Sequence, residues 1–257
     1  MLRGIDTAAA GMLSQGVLSD VLADNLANIN TVGFKKTAMA FEDFSSVMVN
    51  STTADKKEGL GEYSLSVKPQ DTRILFDQGT LSETGNPYHV ALEGDGFFEV
   101  TMDGDKTAYT RDGRFRTNEE GYLVTLNGEK INGEQGFIQV PKNISGLVIS
   151  ETGDVKIKPV GQNALQSLGK IKVVQFASND TLTKLGQSLY DSNGQEPNRD
   201  LKNVQVVQGV LEQSNINPVR ELVDSMMGLR TYEMLQKSIN MQNDTFGKAV
   251  NEVGKLV

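Results

Sequence analysis

Apolar positions near the end of the chain recur in alternating steps of three and four. From Leu222 they fall on Leu222, Ser225, Leu229, Tyr232, Gln236, Ile239, Asn243, Phe246, Val250, Val253 and Val257. Eight of these eleven are apolar, the period of a helix offering one seam to a neighbour. Asn217 suits the N-cap, and Pro218 the first helical position, where a missing N–H costs nothing. At 1.5 Å per residue a helix over 219–257 would be roughly 58 Å long, more than a globular domain needs. Val223, Met226, Met227, Leu235 and Met241 lie off the seam, so this helix wants more than one neighbour. The same spacing also fits a core helix of a single domain.

The beginning of the chain repeats the pattern. Ile5, Ala8, Met12, Gln15, Ser19, Leu22, Leu26 and Ile29 follow the three–four rhythm, which predicts a helix over residues 2–29, with Leu13, Leu18 and Val21 beside its seam. The asparagines from Asn25 to Asn30, leading to Gly33, suit a helix C-terminus that must satisfy its last carbonyls and turn. Residues 37–69 read as a linker or extended loop, because Ser51 to Gly59 is polar and without period.

From about residue 70 to 210 the texture changes to short runs separated by turns. Strand-like runs recur at Tyr88–Leu92, Phe97–Thr101, Tyr122–Thr125, Phe137–Val140, Val155–Ile157 and Ile171–Val174. Between and after them stand the turn pairs Asp103-Gly104, Asp112-Gly113, Asn127-Gly128, Asn132-Gly133 and Asn193-Gly194. All six prolines lie between Pro69 and Pro218, which leaves the two helical ends uninterrupted. The reading is α+β: long N- and C-terminal helices that pair as a coiled-coil-like segment, with an all-β domain inserted between them. Its divisions are 1–36, 37–69, 70–210 and 211–257.

Composition removes several functions. The net charge of −8 disfavours a phosphate backbone as partner, so no nucleic acid is expected. With no cysteine and only His89, thiolate metal sites, disulfides and histidine-rich catalysis are out of reach. No run of 18 apolar residues occurs, so no membrane insertion is expected. Thr7 to Ser19 is too broken by glycine and polar residues for a cleaved secretion signal.

Three blocks of residues resemble the flagellar basal-body rod and hook protein family. The first is Ala23-Asp24-Asn25-Leu26-Ala27-Asn28-Ile29-Asn30-Thr31-Val32-Gly33-Phe34-Lys35, in which Asp24 departs from the family's usual asparagine. The second runs from Thr84 to Phe98, continues through Tyr109-Thr110-Arg111-Asp112-Gly113 and Gly121–Thr125, and carries His89 where the family usually has aspartate. The third is Leu211-Glu212-Gln213-Ser214-Asn215-Ile216-Asn217-Pro218, reaching Arg230-Thr231-Tyr232-Glu233. Length and the compact middle are similar to rod proteins of the FlgF or FlgG type, and the ending from Lys248 to Gly254 leans to FlgF.

The resemblance implies a structural subunit of the axial rod of the basal body, and no enzyme or cofactor. Its partners would be other rod proteins, itself, and the type III export apparatus, through which it would leave uncleaved. The implied subunit interface comprises Ile5, Met12, Leu22, Leu26, Ile29, Leu222, Leu229, Tyr232, Ile239, Phe246, Val250 and Val253. The implied signature is Asn25, Leu26, Ala27, Asn28, Thr31, Gly33, Phe34 and Lys35. Phe44 to Met48 resembles a short export-gate motif, which a buried Phe44 would explain as well.

Other candidate chemistry weakens on inspection. Asp103-Gly104-Asp105 opens like a calcium loop, but Ala108 and Arg114 stand where glycine and glutamate belong, so a hairpin turn fits better. Gly94-Asp95-Gly96 precedes a strand pattern where a dinucleotide site needs a helix. Glu119-Glu120 sits at a turn with no nucleophile or base beside it. Arg230 and Tyr232 suit an interface anchor, the alternative being ordinary helix packing. The alternative class is a secreted β-domain binding module on a helical stalk, which shares the architecture but leaves the N-terminal block unexplained.

Overall fold

The computed structural model describes the backbone of residues 2–53, 56–161, 164–186, 188–198 and 203–253, and their side chains except for 2–3, 41–71 and 252–253. The fold is α+β. The chain divides into two compact units, one of residues 1–27, 37–73 and 217–257, the other of residues 28–36 and 74–216. Lys35 and Glu212 both fall in the second unit, and a span of 70–210 alone lacks both residues.

The first unit holds helix α1 (Leu2–Ala27) and helix α2 (Pro218–Val253). Asn217 caps α2 as expected: its carbonyl accepts from Glu221 N at 3.0 Å and its Oδ1 from Arg220 N at 3.1 Å. The helices lie against each other, with Asn25 hydrogen-bonded to Glu221, Gly11 facing Leu235 and Gly4 facing Gln242. Each position on α1 plus its partner on α2 gives the same sum, so the two run antiparallel.

That register corrects the expected seam of α2. The residues turned toward α1 include Glu221, Gly228, Leu235 and Gln242, one position before Leu222, Leu229, Gln236 and Asn243. Leu235, expected off the seam, lies on it, while Leu222, Leu229 and Tyr232 are exposed. The reason is steric. Gly4, Gly11 and Gly228 leave room only for close approach, and a Cβ on Gly11 would already stand 3.1 Å from Leu235 Cδ1. Large side chains at Leu222 or Leu229 fit better where nothing confines them.

Where a linker was expected over 37–69, the chain forms two strands, Thr37–Thr53 and Lys56–Ile74, paired in one sheet. Alternation at Tyr63, Leu65 and Val67, and the apolar run Val47-Met48-Val49, supply the β-propensity that the polar stretch between them hid. The side chains of Phe44 and Met48 lie outside the described residues.

The second unit is β-rich. Its largest sheet has nine strands, ordered along one path as 183–186, 189–191, 106–110, 97–102, 130–133, 123–124 and 116–117. Strand 173–174 also pairs with 97–102, and 136–137 with 130–133. A second sheet is made by Ile144–Ile149, Asp154–Pro159 and Gln166–Lys170. Val90–Glu93 pairs with Gln205–Gln208, and Leu81–Glu83 with Val210–Glu212. Alternating residues of these strands meet in one core that includes Val90, Phe98, Val100, Ile131, Ile157 and Ile171. A smaller aromatic cluster joins Phe97, Tyr109 and Tyr190, with Phe76 packed edge-on to Phe97 and Tyr190.

Two turn pairs behave differently from expectation. Asn132-Gly133 ends the strand Lys130–Gly133, and the chain reverses after it to pair Gly136 with Gly133. Asp112-Gly113 makes no hairpin either, since Val90 N donates to Gly113 O and the Asp112 carboxylate holds Arg114 at 2.6 Å. Asp103-Gly104-Asp105 does close a hairpin, between Met102 and Lys106.

Candidate functional site

The first block begins where α1 ends. Asn25 is fully buried, and its side chain closes on the backbone of Thr37 and on one carboxylate. Oδ1 accepts from Thr37 N at 2.9 Å, while Nδ2 donates to Thr37 O and to Glu221 Oε1, both at 2.8 Å. The expected role of helix cap thus gives way to a clamp that joins α1, the start of strand 37–53 and the first turn of α2. Asn28 makes the turn itself, accepting from Thr31 N through its carbonyl and from Thr31 Oγ1 through its side chain. Leu26 is half-buried and Ala27 exposed.

Gly33 and Lys35 enter the β-rich unit. Gly33 has φ +68°, donates its N–H to Glu212 O at 2.8 Å, and passes so close to Arg111 that a Cβ would lie 2.6 Å from that residue's carbonyl carbon. Phe34 is buried, with Lys184 Nζ 4.0 Å from its ring centroid. Lys35 Nζ donates to Glu212 Oε1 at 2.6 Å, Asp77 O at 2.8 Å and Phe76 O at 3.3 Å. Glu212 Oε1 also accepts from Gly79 N at 2.9 Å, and Oε2 from Arg111 Nη1 at 3.2 Å. The Arg111 guanidinium stands over the Phe97 ring.

Each of the three sequence blocks therefore gives one ion to a single buried network: Lys35, Arg111 and Glu212. All three side chains are almost wholly out of solvent. Two cations share the one buried carboxylate of Glu212. Burial, first, pulls the Lys35 amine below its ordinary range, against the opposing pull of Glu212 and with added repulsion from Arg111. Burial likewise pushes the neighbouring Tyr190 phenol up. Around the network Asn215 accepts from Lys36 N and donates to Leu75 O and Asp77 O. Such a network fixes the path of the chain at its first, middle and last blocks.

Sequence reasoning found Lys35 but not its partners, Arg111 and Glu212. One available signal was a lone glutamate in the apolar run Val210-Leu211-Glu212, since a charge in a buried strand must be paired.

The expected interface residues are divided. Leu22 is buried, and Ile5, Met12, Leu26, Ile29, Ile239 and Phe246 are half-buried. Leu222, Leu229, Tyr232 and Val250 are exposed, Val250 at 70%. The side chain of Val253 lies outside the described residues. Arg230 is exposed beside Tyr232. His89 bridges Thr84 Oγ1 and Asn86 Nδ2, so it braces a turn. Glu119 and Glu120 are exposed in a turn, and Gly94–Gly96 leads directly into the buried strand Phe97–Met102.

Helical ends, a β-rich middle and buried ions spent on chain path describe a structural protein. Three family profiles match in order. They are "Flagella basal body rod protein" over residues 5–35, "Flagellar hook protein FlgE/F/G D1 domain" over 91–157, and "Flagellar basal body rod FlgEFG protein C-terminal" over 207–252. The chain is 33% identical over 267 residues to the flagellar basal-body rod protein FlgG of Borreliella burgdorferi, covering 98% of each. It is 31% identical over 260 residues to FlgG of Buchnera aphidicola from Schizaphis graminum, covering 96% of this chain and 98% of the relative. It is 33% identical over 240 residues to the rod protein FlgF of Caulobacter vibrioides, covering 92% of each.

The chain belongs to the flagellar basal-body rod protein family and is of the FlgF or FlgG type. It is a structural subunit of the basal body, and the binding-module alternative falls away. No helix among the described residues is long and apolar enough to cross a membrane.

Proposed function

We propose that this rod subunit polymerises through α1 and α2 into the axial shaft, while the β-rich unit forms its outer part. One observation carries the reading. Much of the helix pair's apolar surface lies outside: its seam holds Gly4, Gly11, Gly228 and Gln242 beside Leu235, while Leu13, Leu222, Met226, Met227 and Leu229 are exposed. Apolar surface arranged in that way favours burial by other chains. Contacts on α2 recur every seven residues at Glu221, Gly228, Leu235 and Gln242, and on α1 at Gly4, Gly11 and Asn25 in the same heptad phase. This spacing supports a coiled-coil-like antiparallel pair. The interface in the polymer would then comprise Leu222, Leu229, Tyr232 and Val250 with their half-buried neighbours Ile239 and Phe246.

Other rod proteins are the neighbours this reading requires, in a rod spanning the periplasm. Export through the flagellar type III apparatus without cleavage accompanies the family resemblance, and the ending Lys248–Gly254 favours a FlgF-like position. Deleting the gene should stop flagellar growth at the rod and abolish motility, and supplying the chain in trans should restore both. Electron micrographs of normal hooks and filaments on the deletion strain would overturn the reading.

A further inference from the structure

The β-rich unit holds three asparagine–glycine pairs in closely similar contexts: Asn127-Gly128-Glu129, Asn132-Gly133-Glu134 and Asn193-Gly194-Gln195. In each, a backbone nitrogen unshielded by any side chain follows an asparagine amide, the arrangement most open to deamidation. The glycine nitrogen attacks the asparagine Cγ and closes a five-membered succinimide. The bond from Cγ to Nδ2 breaks, and ammonia leaves with the proton displaced from the backbone nitrogen. Water then opens the ring at either carbonyl, giving aspartate or isoaspartate. Amide and water become acid and ammonia, with nothing oxidised or reduced. Ring closure needs an amide free to rotate and a backbone free to turn toward it.

The fold treats the three pairs differently. Asn132 is held most firmly: it lies in the strand Lys130–Gly133, its Nδ2 donates to Glu99 Oε1 at 3.0 Å, and its Oδ1 accepts from Thr101 Oγ1 at 2.8 Å. Asn193 sits in an exposed turn, yet both ends of its amide are tied. Nδ2 donates to Thr181 O at 2.9 Å, and Oδ1 accepts from Thr183 Oγ1 at 3.3 Å. Asn127 is exposed, and its amide has no hydrogen-bond partner among the described residues. It lines an open groove of about 430 Å³ with Met102, Asp103, Glu129, Leu185 and Leu189, so water reaches it. One restraint remains, the bond from Gly128 N to Thr125 O at 3.2 Å, in a turn braced by Thr125 Oγ1 against Glu129 N and the Glu129 carboxylate.

We propose that Asn127 is a site of spontaneous deamidation in the folded chain, at a rate set by opening of the turn 125–129, while Asn132 and Asn193 are protected. The product adds a carboxylate beside Asp103 and Glu129 at the groove. Isoaspartate also lengthens the backbone of the turn that leads from strand 123–124 to strand 130–133. The change accumulates with the age of the chain and does not depend on what the chain assembles with.

The purified full chain is incubated at pH 9, digested and mapped by mass spectrometry, with isoaspartate detected by an isoaspartyl methyltransferase. Asn127 should convert about tenfold faster than Asn132 or Asn193, a difference of about 1.4 kcal/mol in barrier. In denaturant the three should convert at comparable rates, because their sequence contexts match and the tertiary bonds are gone. Thr125→Val removes the hydroxyl that braces the turn and should raise the rate at Asn127 several-fold, with the other two unmoved. Should that variant fail to fold, the comparison of folded and denatured wild-type chain decides alone. Equal rates at all three sites in the folded chain would overturn the proposal, as would a lead at Asn132 or Asn193. So would an Asn127 that converts in denaturant but stays intact in the folded chain. An unchanged rate in folded Thr125→Val would overturn the part given to turn opening.

Discussion

Gly33 meets two constraints at once, a backbone in the left-handed region and the Arg111–Asp112 peptide where a side chain would stand. Gly33→Ala should therefore cost about 2–4 kcal/mol, a strained φ plus a clash against backbone that cannot yield. Thermal melting of the purified variant measures this, and an unchanged midpoint would show that the loop relaxes freely. Lys35 adds a pH dependence. Its amine titrates lower in the folded chain than in the unfolded one, so between those two values the unfolded chain binds more protons. Stability should rise with pH across that window and level off near the ordinary lysine value of 10.5. Tyr190 acts in the opposite sense: its raised phenol contributes stability that is lost once pH exceeds the ordinary tyrosine value of 10. Denaturant midpoints between pH 7 and 11 should show the rise flattened in Lys35→Met and the later fall reduced in Tyr190→Phe. Lys35 itself was legible as part of a block, but Glu212 stands 177 residues away from it and 101 from Arg111. No local spacing connects residues so far apart, so only the folded chain shows that the three blocks share one carboxylate.

Among the elements, the terminal helices were the most legible, because a period of 3.6 sustained over many residues has few other readings. Their facing was less so. The α2 stripe chosen for its large apolar residues is rotated from the one that meets α1, since glycines and glutamine govern close approach and carry no hydrophobic signal. The strand-like runs Phe97–Thr101 and Val155–Ile157 were visible and lie within strands Phe97–Met102 and Asp154–Pro159, whereas Asn132-Gly133 shows that turn chemistry does not by itself locate a turn. Strands 37–53 and 56–74 were hidden because polar residues interrupt their alternation. Ile239 lies in the middle of α2, in the unit that excludes the β-rich core. Ile239→Pro removes a helical hydrogen bond and clashes with the preceding turn, a cost of about 3 kcal/mol or more to the helix. Circular dichroism should show lost helicity with the β-rich unit's melting unmoved, and the variant should be missing from basal bodies. A fall of several degrees in that β-rich transition would place the helices in the same cooperative core.

At the scale of the whole molecule, the two units are stabilised by different means. The β-rich unit closes its own core, with Val90, Phe98, Val100 and Ile131 completely removed from solvent and a paired carboxylate at Glu212. Among its described residues, the helical unit keeps few large side chains inside. Along α2 the contact with α1 falls on Gly228, Leu235 and Gln242, and Gln15 Oε1 and Gln242 Oε1 are buried without a hydrogen-bond partner among the described residues. Unpaired buried amide oxygens destabilise the pair, and the outward methionines and leucines contribute little until another chain covers them. Helical propensity alone is weak, so in proteins such segments depend on tertiary burial. The dilute monomer should consequently open its helices far more readily than its β-rich unit. Hydrogen exchange on a verified monomer should show residues 2–27 and 218–253 exchanging within seconds to minutes, while strands 90–93, 97–102 and 106–110 stay protected. Incorporation into rods should then protect the helical amides, with the largest gain around Leu13 and Met226–Met234, where exposed apolar residues cluster. Slow exchange across both helices in the monomer would mean that the glycine-lined seam suffices without neighbours, and assembly would then join preformed helices.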